Sequence, residues 1–401
     1  MIKIGDLNID KFYLGDTSDA KIYLGDVKVW PKEEEPSGTY PYAFRRVSRG
    51  GSAYTVNCNS TSSNTITSGD TQSGLENSDA GSSTSDKTPV SVVFGDCCQS
   101  INDHACYGWP YLTSVTISDN VTSLGSYSFF NAYRLEHLKI GSGITQINQS
   151  YTFGYVGTSA STKPDLDLSK DVGLSVGKNV FSRCYFNNVI FPKNCTLSSN
   201  SFSYCSASTL SFGSGTKISD VNSYSSVFYN CNISNIDLNG VTLIGNYAFS
   251  YISGFTSITI PPSVTTFGQY AFNSVSGLNS VTIDYASNAT LGIYQFNGSS
   301  ITSLTIGSNP TSIGSGMFKN CTKLRTLVIP SNISSINNYA FSGCTGLTSI
   351  TIHSATPPTL GYESFNNTNN CPIYVPPESV DAYKAASGWS SYASRIQAIP
   401  T

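Results

Sequence analysis

Charge is scarce in this sequence. Of 401 residues only 12% are Asp, Glu, Lys or Arg, and 22 basic side chains nearly cancel 25 acidic ones; about a quarter is usual. That balance removes the electrostatic footprint that a nucleic acid or an anionic membrane requires. Histidine is scarcer still, with 3 residues, and no Cys-x-x-Cys occurs, which excludes the usual spacing of a zinc site. Long apolar runs are missing too, since nothing approaches the ~18 consecutive apolar residues of a membrane span. The opening Met1-Ile-Lys-Ile-Gly-Asp6 lacks the charged, apolar and small-residue succession of a secretion signal. The expectation is therefore a chain without an export signal or membrane insertion, and without a metal or cofactor.

What is abundant is Ser, Thr, Asn, Gly and Tyr, arranged in a repeat. The segments Gly254-Phe-Thr-Ser-Ile-Thr-Ile260, Gly277-Leu-Asn-Ser-Val-Thr-Ile283, Ser300-Ile-Thr-Ser-Leu-Thr-Ile306, Lys323-Leu-Arg-Thr-Leu-Val-Ile329 and Gly346-Leu-Thr-Ser-Ile-Thr-Ile352 recur at a step of about 23 residues. Hydroxyl and branched aliphatic residues alternate, the period of a strand with one buried and one wet face. Ile258, Ile260, Val281, Ile283, Leu304, Ile306, Leu327, Ile329, Ile350 and Ile352 are expected inward. A second beat follows each strand: Ile244-Gly245 then Ala248-Phe249, Ile313-Gly314 then Met317-Phe318, Ile336-Asn337 then Ala340-Phe341. Gly or Asn after the aliphatic residue suits a left-handed backbone position, and the Phe is expected to close the coil from the far side. One unit cannot bury its own apolar face, so stability must come from stacking.

The strand beat continues through Ile373-Tyr-Val375 and back through Ile236, Leu210, Val189, Leu166, Leu138 and Val115 to Val92, about thirteen coils in all. The fold class expected is mainly β: a solenoid with a parallel strand ladder, a small N-terminal β module and a C-terminal helical cap. Its divisions are an attachment module at residues 1–30, a linker at 31–38, a polar cap or mobile segment at 39–87, the solenoid at 88–376 and the cap at 377–401. Glu378-Ser-Val-Asp-Ala-Tyr-Lys-Ala-Ala386 follows two prolines and precedes Ser387-Gly388, the start and stop signals of a short helix. Val380, Tyr383, Trp389, Tyr392 and Ile396 can lie over the last coil.

The pattern Leu-Thr-Ser-Ile-Thr-Ile followed by Ile-Gly-x-x-Ala-Phe-x-x-Cys resembles the BspA-like leucine-rich repeat, over residues ~88–376. That resemblance implies cell-surface adhesion and binding to a host protein or glycan. At the other end, Lys11-Phe-Tyr-Leu-Gly-Asp16 and Lys21-Ile-Tyr-Leu-Gly-Asp26 are followed by Val27-Lys-Val-Trp-Pro31. The two runs read as strands joined by tight turns, too small for a core of their own. They resemble the N-terminal modules of virion structural proteins of gut Bacteroidales phages, the crAss-like group among them. This implies attachment to other virion proteins of capsid or tail through Phe12, Tyr13, Leu14, Ile22, Tyr23, Leu24, Val29 and Trp30, in a protein made in the host cytoplasm. On that reading the chain is a head or tail fibre or decoration protein, expected as a homo-oligomer. The alternatives are a bacterial surface adhesin and, for the N-terminus alone, an ordinary hairpin that caps the solenoid.

Catalytic residue types cluster only at Asp103, His104 and Cys106, which invites a nucleophile with His as base and Asp as orienter. Register argues otherwise, because Cys106 falls where Phe129 falls one period later and is therefore expected buried. No enzyme is expected. Among 11 cysteines, Cys184, Cys205, Cys231, Cys321 and Cys344 each lie three residues after the Phe of their coil, one position repeated, and are expected as free buried thiols. The outward Ser and Thr of the strands form a nearly uncharged surface. It fits hydrogen bonding to glycans or proteins, and equally the plain wet side of a ladder. Tyrosine supplies better anchors, and Tyr151, Tyr155, Tyr224 and Tyr229, in the irregular coils, are the candidate ligand contacts. Filling the coil interior is the other role open to each.

Overall fold

The computed structural model describes residues 91–400 except 96–97, 110, 160–161, 171–172 and 219–225, together with the backbone of strands between Ile2 and Val90. It is a parallel-strand solenoid of about 13 turns, mainly β, with one short C-terminal helix. The chain forms two compact units, Met1–Asp171 with Arg183–Asn187, and Val172–Ser182 with Asn188–Thr401.

Two strand ladders run through the repeats because each coil carries a long and a short strand. In the second unit Ser257–Ile260 pairs in parallel with Ser280–Ile283, which pairs with Ser303–Ile306, in the register Ile258↔Val281↔Leu304. Thr326–Ile329, Ser349–Ile352 and Ile373–Val375 continue in the same register, Leu327↔Ile350↔Ile373. In the first unit the pairing is Val92↔Val115↔Leu138. The short strands stack likewise, Ile313↔Ile336↔Leu360 among them. Alternation of side chains then puts Ile258, Ile260, Val281, Ile283, Leu327, Ile329, Ile350 and Ile352 in the core, each worth about 1.5–3 kcal/mol on full burial.

Two expected core residues depart from this pattern. Leu304 and Ile306 are half-buried, and they lie where the long ladder stops: Ser303–Ile306 has no paired strand beyond it, and a new sheet begins at Thr326–Ile329. Leu327 and Ile329, on the strand that follows the same break, are fully buried, so the missing pairing alone does not account for the exposure. The short ladder breaks at the same level, between Thr290–Leu291 and Ser312–Ile313. The phenylalanine column does not break there, with Phe296 and Phe318 stacked at 5.4 Å.

The left-handed positions also differ from expectation. Gly245, Gly314 and Asn337 are not among the residues with positive φ. Glycine is needed at the equivalent position of Gly292 and Gly361 for another reason: a Cβ there would come within 2.3 Å of the Gln269 backbone nitrogen or 2.4 Å of that of Asn338, one coil back. At Gly292 and Gly361 close approach of successive coils, not chirality, selects the small residue.

Upstream, Phe12–Leu14 pairs antiparallel with Ile22–Leu24, and Ile22–Leu24 with Val27–Val29. Ser52–Cys58 adds a parallel strand beside Val90–Phe94. The side chains of Phe12, Tyr13, Leu14, Ile22, Tyr23, Leu24 and Val29, and Trp30 altogether, lie outside the described residues.

At the C-terminus the helix spans Val380–Ala385. Tyr383 on this helix and Trp389 just beyond it are fully buried, and Ile396–Ala398 then adds one more parallel strand beside Ile373–Val375.

Candidate functional site

Nearly every described coil turns around its Phe in the same way. The residue two before and the residue two after it are left-handed: Tyr247 (φ 56°) and Tyr251 (φ 59°) around Phe249, Tyr339 (φ 60°) and Gly343 (φ 75°) around Phe341. Left-handed backbone at a bulky residue costs roughly 1–2 kcal/mol. What it gains is visible in the hydrogen bonds. The backbone N–H groups of Tyr247, Phe249 and Tyr251 donate to the carbonyls of Gln269, Ala271 and Asn273 at 2.9, 2.8 and 3.2 Å, all in the next coil. Alternating the chirality aims every second N–H along the stacking direction, so the turn is laddered as well as the strands and leaves few buried donors unpaired.

This turn fixes where the aromatic side chains go. The Phe rings form an inner column: Phe228, Phe249, Phe272, Phe296, Phe318 and Phe341 stack at 4.9–5.5 Å. The residue two before the Phe forms an outer column. In the first unit His104, Tyr127 and Tyr151 stack at 5.3 and 5.4 Å, beside Tyr107 and Phe130 stacked at 5.5 Å and Tyr155 edge-on to Phe130. In the second unit Tyr247, Tyr270 and Tyr294 stack at 5.1 and 5.2 Å. Burial, and then the two flanking phenols, raise the pKa of Tyr270 above the usual range. Gly316 breaks that column because a Cβ would lie 2.3 Å from the Tyr294 ring, and the Lys319 ammonium fills the gap, 5.5 Å from Tyr294 and 5.0 Å from Tyr339.

A third group differs in geometry. Tyr204, Tyr229 and Tyr251 meet edge to face, with ring centroids 5.5 and 6.0 Å apart and interplanar angles of 83° and 70°. They are 42%, 37% and 53% exposed. Rings in a parallel column cover one another, whereas an edge-to-face row leaves ring surface open to solvent. Of the four tyrosines expected as ligand contacts, Tyr229 belongs to this open row, Tyr151 and Tyr155 are half-buried in the first unit's cluster, and Tyr224 lies outside the described residues. Tyr204 and Tyr251 were not predicted. The signal available for them was their place two residues after Phe202 and Phe249.

The residues of catalytic type do not converge. Asp103 accepts the Ser126 backbone N–H at 2.6 Å, and the exposed His104 is packed against Tyr107 and Tyr127. Cys106 is fully buried in the place of the coil Phe. The repeated cysteines share one arrangement: the thiols of Cys184, Cys205, Cys231, Cys321 and Cys344 donate to the carbonyls of Phe153, Phe181, Phe202, Phe296 and Phe318 at 2.7–3.4 Å. Cys106, Cys231, Cys321, Cys344 and Cys371 are buried free thiols, and no group of three His, Cys, Asp or Glu that could hold a metal occurs among the described residues.

Burial pushes the Cys106 thiol well above its ordinary value of 9.0, and Cys231 shifts in the same direction. Such a group binds its proton more tightly folded than unfolded, so its contribution is intact below pH 9 and falls as pH rises above it. The urea midpoint is therefore expected to decline above about pH 9, and iodoacetamide at pH 8 to leave Cys106 unmodified in the folded chain and alkylate it in urea. Labelling of native Cys106 at the denatured rate would contradict its burial.

Much of the Ser and Thr content serves the fold itself. The hydroxyls of Thr265, Thr302 and Thr348 donate to the carbonyls of Thr242, Asn279 and Arg325, each 23 residues back, at 3.2, 3.1 and 2.9 Å. The strand-face residues Ser257, Thr259, Ser303, Thr305 and Thr326 are exposed.

The BspA type leucine-rich repeat region matches this chain in six copies, over residues 86–162, 174–300 and 289–387. No curated protein sequence matches it. Among solved structures, a leucine-rich repeat protein from Bacteroides ovatus ATCC 8483 is similar over 91% of this chain and 100% of its own, with a TM-score of 0.45 and 16% identity. A leucine-rich cell surface protein from Faecalibacterium prausnitzii A2-165 covers 92% of this chain and 99% of its own, at TM-score 0.34 and 18% identity. The pneumococcal vaccine antigen PcpA covers 96% and 99%, at TM-score 0.36 and 13% identity.

Proposed function

The chain belongs to the BspA-type leucine-rich repeat family, and from that premise we propose that it is a non-catalytic bacterial cell-surface protein that adheres to a partner through its repeat turns. The observation that supports this reading is the row of Tyr204, Tyr229 and Tyr251, each more than a third exposed on a laddered, rigid turn. Large aromatic side chains left in water gather at recognition sites, because a partner that covers them gains much area at little entropic cost. The scaffold supplies preorganisation, since the backbone under these rings is held by hydrogen bonds to the next coil.

A virion role rests on residues 1–30, whose side chains lie outside the described residues, and neither the family match nor the fold lends it weight. The two readings separate in one experiment. Protease shaving of intact cells of the producing bacterium is expected to release peptides of this chain, and an antibody to label unpermeabilised cells. Recovery only from the cytosol, or only from purified phage particles, would overturn the surface reading.

A further inference from the structure

The geometry points to the row Tyr204, Tyr229 and Tyr251 as a binding site for an uncharged oligosaccharide. The inference rests on the adhesion reading above and names its ligand class.

Three observations carry it. First, the three rings form an edge-to-face row, a geometry that Tyr339 and Tyr362 share as a pair only. Tyr247, Tyr270 and Tyr294 lie within 12° and 22° of parallel, so each covers its neighbour. Tyr204, Tyr229 and Tyr251 stand at 83° and 70° and leave ring surface to solvent. The C–H face of a sugar is apolar and weakly positive, which complements the negative face of an aromatic ring.

Second, the residues beside the rings along the chain are polar without charge. The nearest residues along the chain beside the three rings that reach solvent include Ser206, Asn230, Asn232 and Ser253. Amide and hydroxyl groups donate and accept, as sugar hydroxyls require. The strands that lead away stay in register, Ser206↔Asn232 and Thr209↔Asn235, and Asn232 and Asn235 are exposed.

Third, the scale fits a small ligand. Ring centroids 5.5 and 6.0 Å apart make a narrow strip suited to a few sugar rings. A stable protein partner needs about 800 Å² on each side, with a well-packed apolar centre. The small polar neighbours of this strip do not offer that.

The test uses the full chain against immobilised hexasaccharides of neutral β-glucan, mannan and galactan, with a sulfated hexasaccharide and a non-glycosylated protein as comparators, followed by titration calorimetry on the best neutral hit. Binding to at least one neutral hexasaccharide is expected. The triple variant Tyr204→Ala, Tyr229→Ala, Tyr251→Ala should weaken it about ten-fold or more, while Tyr362→Ala, at a residue 63% exposed on a distant coil, leaves it unchanged. Circular dichroism and the urea midpoint confirm that the triple variant is folded. If it is not, the single variant Tyr251→Ala replaces it, with a loss of a few-fold expected.

Binding only to the sulfated or the protein comparator overturns the ligand class. Neutral binding that survives the substitutions overturns the site. Absence of all binding overturns the inference and leaves the surface location, which protease shaving measures separately.

Discussion

Replacing Phe272 with Ala is expected to cost about 3–5 kcal/mol, the range for removing a fully buried aromatic ring from a core that relaxes only partly. Phe272 has no exposed surface. It is stacked on Phe249 at 4.9 Å and on Phe296 at 5.1 Å, and the edge of Phe267 meets it at 6.1 Å. In a repeat protein each unit is stabilised by its interfaces with the units before and after it, and one cavity in this column weakens both interfaces of the same coil. Urea unfolding followed by far-UV circular dichroism should show a lowered midpoint and, where the two flanking blocks part company, a broadened or double transition. Loss of the exposed Tyr362 ring should change stability by no more than about 0.5 kcal/mol. A Phe272→Ala cost below about 1 kcal/mol would mean that the column is not what joins the coils.

Deletion of residues 377–401 is expected to turn the protein into an aggregating species. The segment covers the last coil in four ways. Trp389 packs against Tyr383 at 5.0 Å and Phe365 at 5.8 Å while its indole N–H donates to the Pro358 carbonyl at 2.7 Å. Tyr383 donates its hydroxyl to the Ser354 carbonyl at 2.8 Å. The Arg395 guanidinium reaches the Cys371 carbonyl at 2.8 Å and the Thr368 hydroxyl at 2.9 Å, and Ile396–Ala398 pairs with the edge of Ile373–Val375. Each large apolar side chain withdrawn forfeits about 1.5–3 kcal/mol of burial. The exposed Ile373–Val375 edge then offers unpaired N–H and C=O groups to any other strand. Size-exclusion chromatography with light scattering should show large species and little monomer, whereas a monodisperse truncated protein would show that the last coil needs no cover.

The two experiments bear on different parts of the adhesion reading. The phenylalanine column holds successive turns at one spacing, so its loss should disturb any binding that spans Tyr204, Tyr229 and Tyr251. The cap only closes the end, and its removal acts on solubility before it acts on those tyrosines.

Period and register were legible from the residues alone. The step between Ile258, Val281 and Leu304 is written in the text, and a strand of period two stacked on its own copy has one register that hides every aliphatic side chain. The cap was legible through its prolines, Gly388 and two aromatic residues, although Ile396 turned out to sit on a strand. The left-handed residues were not, because their conformation answers to the direction in which Tyr247, Phe249 and Tyr251 must send their N–H groups, and that direction exists only once the next coil is in place. Leu304 and Ile306 looked the same in sequence as Leu327 and Ile329, and only the folded chain shows the first pair half-buried and the second fully buried. The same holds for the tyrosines: composition shows that there are 25, but whether a ring is covered by its neighbour or left to water depends on the angle between two rings on successive coils, which tertiary stacking decides.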